Sequence, residues 1–192
     1  MNRKIIIIAG YGAAGKTTFA VNLSQTLKIP YFSKDLMKIA LNRSFPVENQ
    51  ADSRHLSAIA FDAIAFNAER FMEVGKPLIV EANFVMKENH NSLKEGEALR
   101  KLIDHYGYKS LTYVFLGDLK VLYERFMIRE VLPERGVANV MWGNYTFENY
   151  VKGNVPLGEF NIGGEIVKID TTDIASVNFN KYIKIAHTFM EV

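Results

Sequence analysis

Eight consecutive residues carry the sharpest chemical signal in the chain. Gly10-Tyr11-Gly12-Ala13-Ala14-Gly15-Lys16-Thr17 fits the pattern G-x-x-x-x-G-K-[ST] without a mismatch. Glycines at these positions let the backbone curl so that its amides face inward on an anion. A lysine in the seventh place sets a positive charge toward the β- and γ-phosphates of a nucleotide. The threonine after it offers a hydroxyl to Mg²⁺, and the N-terminus of a following helix favours negative charge. The expected nucleotide contacts are therefore Gly10, Gly12, Ala13, Ala14, Gly15, Lys16, Thr17 and Thr18.

Such a loop works only between a strand and a helix, a setting that separates it from a chance glycine-rich turn. Residues 4–9 form an Ile-rich run without alternation, as in a central parallel strand covered on both faces. Residues 15–27 follow with Phe19, Val21, Leu23 and Leu27 on the apolar side of a helix. Further strands are expected at 30–32, 77–81, 110–116 and 166–169, and helices at 35–42, 51–74, 95–105, 119–130, 137–151 and 175–190. This alternation predicts an α/β three-layer sandwich, a parallel sheet of about five strands with helices on both faces. No repeat or linker interrupts it, so residues 1–192 read as one domain. Its acceptor-side helices would fall near 34–74 and a short lid near 129–137.

Composition removes several classes of function. Lys and Arg together number 23 against 21 Asp and Glu, a balance that gives no general attraction to nucleic acid or membranes. The absence of cysteine excludes disulfides, a thiolate nucleophile and any Cys-ligated metal, and suits a reducing cytoplasm. The first apolar run stops at Gly10, too short for a secretory core or a membrane span. The four histidines are scattered without metal-ligand spacing. The expectation is a cytoplasmic protein.

Beyond the loop, the chain resembles the small P-loop kinases. Among them it is most similar to the group containing polynucleotide 5′-hydroxyl kinase, chloramphenicol phosphotransferase and zeta-toxin-like kinases. Four segments carry the resemblance: residues 10–18, Ser33-Lys34-Asp35-Leu36-Met37-Lys38, Leu78-Ile79-Val80-Glu81-Ala82-Asn83-Phe84 and Val167-Lys168-Ile169-Asp170-Thr171-Thr172-Asp173. It implies ATP and Mg²⁺ as cofactors and transfer of the γ-phosphate to a hydroxyl.

The resemblance assigns Asp35 as general base, at a strand end where a carboxylate can take the proton of an attacking hydroxyl. The plain alternative is that Ser33 or Asp35 caps the next helix. Glu81 ends a strand where an acid is needed near Mg²⁺, so Thr17 and Glu81 form the expected metal set. Relatives mostly carry Asp there, and the longer Glu suits contact through water. Lys38, Arg54 and Asn83 are the expected acceptor contacts. Arg125, Arg129 and Arg135 are lid candidates that would neutralise charge on the transferring phosphoryl group, with ion pairs to Glu124, Glu130 and Glu134 as the alternative. Thr171 and Thr172 lie where the base of a nucleotide would rest, with a helix N-cap at Thr172 or Asp173 as the alternative. Trp142, Tyr145, Phe147 and Tyr150 fit core packing better than stacking on a ring.

Three functions compete. The first is a kinase acting on a small-molecule hydroxyl. The second is a nucleic-acid 5′-hydroxyl kinase, disfavoured by near-zero net charge and by Lys38 where that pattern has Arg. The third is a regulatory nucleotide switch, disfavoured because no Asn-Lys-x-Asp motif occurs late in the chain. Neither the acceptor nor an oligomeric state is written in these motifs.

Overall fold

Alternate side chains of the first strand leave in opposite directions, and both sets are buried. The computed structural model describes residues 2–84, 92–132 and 145–191. In β1 (Lys4–Gly10), Ile5, Ile7 and Ala9 pack with Phe61, Ile64, Ala68 and Met72 of α3 (Gln50–Glu73) and with Leu99 and Ile103 of α4 (Ser92–Tyr106). Ile6 and Ile8 pack on the other face with Phe19, Ala20 and Leu23 of α1 (Lys16–Leu27) and with Ile183, Ala186 and Phe189 of α7 (Phe179–Glu191). A run of isoleucine serves both faces because each is covered by helices.

The sheet order is β2-β3-β1-β4-β5, with every pairing parallel. The outer members are β2 (Tyr31–Ser33) and β5 (Glu165–Asp170), flanking β3 (Leu78–Glu81), β1 and β4 (Lys109–Leu116). The remaining helices are α2 (Lys34–Leu41), α5 (Leu119–Glu130) and α6 (Phe147–Asn154). The expected five-stranded parallel α/β sandwich is thus what forms. No helix among the described residues is long and apolar enough to cross a membrane.

Register sets the functional edge. Ser33 pairs with Glu81, Ile8 with Glu81, Gly10 with Phe115, and Leu116 with Asp170. The chain leaves β1 toward β2 on one side and returns past it to β4 on the other. The carboxyl ends beside such a reversal form the crevice in which α/β sheets hold ligands.

Two expected elements differ. The helix anticipated over 137–151 begins in the described residues only at Phe147, because the Thr146 hydroxyl accepts the Asn149 amide at 3.2 Å and caps it there. Residues 137–144 lie outside the described residues. The last helix is preceded by a separate 3-10 turn, Ile174–Ser176, which Asp173 caps through the Ala175 amide at 3.2 Å. In both places a capping side chain overrode the periodicity of apolar residues.

Candidate active site

Strand β1 delivers the phosphate loop directly. Gly10 has φ 114°, and a Cβ there would stand 2.1 Å from the Phe115 carbonyl oxygen, so only glycine lets the loop leave this close to β4. The Tyr11 amide continues the contact by donating to that same oxygen at 2.8 Å. Ala13 (φ 57°) and Gly15 (φ 89°) are left-handed and complete the curl. No side chain caps α1 at Gly15, so no capping group occupies the positive end of the helix. Lys16 is buried, and its Nζ donates to the Gly10 and Tyr11 carbonyls at 3.1 and 2.6 Å. Its ammonium thus sits over the loop.

Next to the loop, Glu81 projects from the end of β3. It is buried and accepts from Thr17 Oγ1 at 3.4 Å and from the Ser33 hydroxyl. Burial pushes its carboxyl above the usual range, the negative charge of Asp35 adds to that, and Lys16, Ser33 and Thr17 act in the opposite direction. A hydroxyl and a desolvated carboxylate held together, with a second carboxylate in electrostatic reach, suit a hard cation with oxygen ligands. The residues therefore fit Mg²⁺, with Thr17 and Glu81 as its holders.

Ser33 also accepts the Leu36 amide at 3.5 Å and is the cap of α2. Asp35 is accordingly not the cap but a half-buried residue of the first helical turn. Lys38 is buried and donates to Ser53 at 2.7 Å, joining α2 to α3. Arg54 is exposed on the first turn of α3. Asn83 is half-buried just past β3, and its Oδ1 has no hydrogen-bond partner among the described residues.

Just past β5, Thr171 is fully buried and its hydroxyl donates to the Leu116 carbonyl at 2.9 Å. Thr172 is tied to Asp170 through its amide at 2.8 Å and its hydroxyl at 2.7 Å, bonds that hold the Asp170 carboxyl below its usual range. Ile174 comes close to the loop: a Cβ on Gly15 would lie 2.9 Å from its Cδ1.

The arginines divide. Arg125 donates to the Thr171 and Thr172 carbonyls, each at 2.6 Å, and so braces the turn after β5. Arg129 pairs with Glu130 at 2.7 Å and lies over the Phe126 ring at 5.7 Å. Arg135, Trp142 and the 133–137 part of the expected lid lie outside the described residues.

Sequence reasoning missed three features. Lys34 and Glu95 form a buried ion pair at 2.6 Å between α2 and α4; burial raises the Glu95 carboxyl, and Lys34 opposes that. Tyr150 and Asn154 reach the loop from α6, through hydrogen bonds to Gly12. Ser33 orients Glu81 as well as capping α2. Only the four-residue spacing of Tyr150 and Asn154 was visible beforehand, and it is common to any helix face.

A glycine-rich turn running from a central parallel strand into an uncapped helix, with lysine and threonine in place, defines a P-loop nucleotide-binding fold. No family model matches the chain, and no curated protein matches it. Solved structures do. A "putative kinase" from Chloroflexus aurantiacus J-10-fl superposes with a TM-score of 0.81 at 22% identity, over 99% of this chain and 97% of that one. An APS kinase from Mycobacterium tuberculosis, in complex with AMPPNP and APS, gives 0.62 at 13% identity over 100% and 99%. A sugar kinase from Janibacter sp. HTCC2649 gives 0.58 at 14% identity over 98% and 95%. At these identities the likeness establishes the fold alone, which this chain shares with those kinases.

Proposed function

We propose that the protein is a kinase that moves the γ-phosphate of ATP, with Mg²⁺, onto a hydroxyl of a small molecule. One observation carries the reading: the loop with buried Lys16 stands beside two carboxylates, Glu81 and Asp35, close enough for each to feel the other's charge. Nucleotide binding alone needs the loop; phosphoryl transfer to a hydroxyl needs a cation holder and a separate base. That the structural neighbours include a sugar kinase and an APS kinase supports the same reading.

Mg²⁺ would neutralise charge on the β- and γ-phosphates. Thr17 and Glu81 hold it, and Ser33 fixes the Glu81 carboxylate. Loop amides and Lys16 bind the phosphate oxygens and stabilise the charge that spreads over them during transfer. Asp35 accepts the acceptor's hydroxyl proton and aligns its oxygen with phosphorus. Asn83, whose Oδ1 has no donor among the described residues, and Arg54 on α3 are the proposed acceptor contacts, while Lys38 would act through the Ser53 link that joins α2 to α3. Thr171 and Thr172 would border the base, while Arg129 and Arg135 remain the candidates for covering the phosphates. With Lys38 drawn inward to Ser53, no described feature favours a nucleic-acid acceptor.

The test is a panel of hydroxyl compounds (nucleosides, sugars, aminoglycosides, nucleotide sugars and 5′-hydroxyl oligonucleotides) incubated with γ-labelled ATP and Mg²⁺. Label should move to a low-molecular-weight alcohol and depend on Asp35. Calorimetry that detects no Mg·ATP uptake would end the reading.

A further inference from the structure

Both backbone polar groups of Gly12 are held by a distant element. The Tyr150 hydroxyl donates to its carbonyl at 2.7 Å, and its amide donates to Asn154 Oδ1 at 2.7 Å. Both partners come from α6, one turn apart, and both are buried. The Asn154 amide group is oriented without ambiguity, because its Nδ2 donates to the Tyr150 carbonyl at 2.8 Å while Oδ1 faces an N–H. Tyr150 itself is wedged between the rings of Tyr123 and Phe126, each with its centroid 5.6 Å away. Helix α6 therefore offers a rigid anchor.

We infer that Tyr150 and Asn154 are positioning residues that aim the Ala13 amide at the terminal phosphate of the nucleotide, and so favour a triphosphate over a diphosphate; this rests on the kinase reading above. The peptide between Gly12 and Ala13 is trans, so its C=O and N–H point in opposite directions. Holding the Gly12 oxygen outward on Tyr150 turns the Ala13 N–H toward the inside of the curl. That orientation is not the relaxed one. Ala13 sits at φ 57°, a left-handed conformation that strains a residue with a Cβ, and rotating this peptide would relieve it. The clamp opposes that rotation. Lys16, the side chain that reaches the β- and γ-phosphates in such a loop, has its Nζ against the Gly10 and Tyr11 carbonyls, so the arm that carries Gly12 and Ala13 is the one beside the charge meant for the terminal phosphates.

The experiment measures Mg·ATP and Mg·ADP affinities by calorimetry for the full chain, Tyr150→Phe and Asn154→Ala, with the melting temperature of each. Tyr150→Phe keeps the packed ring and removes only the hydroxyl. It should weaken ATP about tenfold while changing ADP by less than about threefold, the scale of one buried hydrogen bond. Adding Ala13→Gly, which removes the strain behind the rotation, should return part of the lost selectivity. A purely structural role would lower both affinities equally and gain nothing from Ala13→Gly, and that result overturns the inference. So does an unchanged ATP-to-ADP ratio in both variants. Should Tyr150→Phe fail to fold, Asn154→Ala decides by the same ratio. Wild-type protein that takes up neither nucleotide defeats the nucleotide reading as well, whereas wild-type binding with indifferent variants defeats the clamp alone.

Discussion

The carboxyl edge of the sheet has two halves built by different means. The nucleotide half is made of backbone: a curled loop, an uncapped helix end and one lysine over them. The proposed acceptor half is made of buried side-chain charge, with Lys34 on Glu95, Lys38 on Ser53, and Asp35 beside Glu81. Backbone binding needs particular glycines at fixed spacing, because a Cβ at Gly10 would strike Phe115. Charged side chains reach one site from any element that passes it. The first half is therefore tightly constrained in local sequence, whereas the second can be assembled from charges on any element that reaches it.

The largest effects should separate the two halves cleanly. Lys16→Ala is expected to cost about a thousandfold or more in transfer, with weakened ATP uptake, since it removes the charge nearest the phosphates. Asp35→Ala should lose roughly 10²–10⁴ in transfer while ATP affinity stays within about threefold. Stopped-flow and calorimetric data on the pair would expose the split. Undiminished transfer by the Asp35 variant would remove the base and merge the two halves into one binding site.

A second break tests burial rather than chemistry. Lys34→Met leaves Glu95 charged and unpaired inside the protein, at an expected cost of about 3–5 kcal/mol by chemical denaturation. The double change Lys34→Met with Glu95→Leu should recover most of it, because two apolar groups need no partner. If the double variant is as unstable as the single one, packing rather than charge explains the loss. A smaller effect is expected at Arg125, which braces both Thr171 and Thr172 carbonyls. Lysine cannot span two acceptors in that planar fork, so Arg125→Lys should cost about 1–2 kcal/mol of stability and loosen the base side.

The contrast also explains what the sequence disclosed. The fold was legible because the central strand is apolar on both faces and each strand is followed by a periodic helix. The loop was legible because its demands are local: Gly10, Gly15, Lys16 and Thr17 act within one turn of chain. Lys34 and Glu95 stand 61 positions apart, and Gly12 and Asn154 stand 142 apart. Nothing in the spacing of one sequence links such partners; only the closed sheet brings them together. Lys38 shows the same limit from the other side, since its letter gives no hint that it turns inward to Ser53. Caps misled in a smaller way: Thr146 and Asp173 start elements where apolar periodicity suggested continuity.

Glu81 joins the halves, and its titration gives the subtlest test. Burial and the Asp35 charge raise its folded carboxyl above the ordinary value of 4.5. Between that value and the raised one, the folded protein keeps a proton that the unfolded chain has released, so stability falls as pH rises through the window. Above it the penalty is constant. Glu81→Gln cannot ionise, keeps an oxygen to accept from Ser33, and escapes the loss. The nucleotide-free variant should therefore melt higher than wild type at neutral pH, and the gap should narrow as pH falls and the wild-type carboxyl takes up its proton. Added Mg²⁺ and ATP should reverse the order, because a carboxylate that is costly in the empty protein becomes an asset beside a cation. Melting curves across pH, with and without Mg·ATP, follow both changes. A variant that is less stable than wild type at neutral pH without ligand would mean that Glu81 is held for structure, and the cation corner would lose its acid.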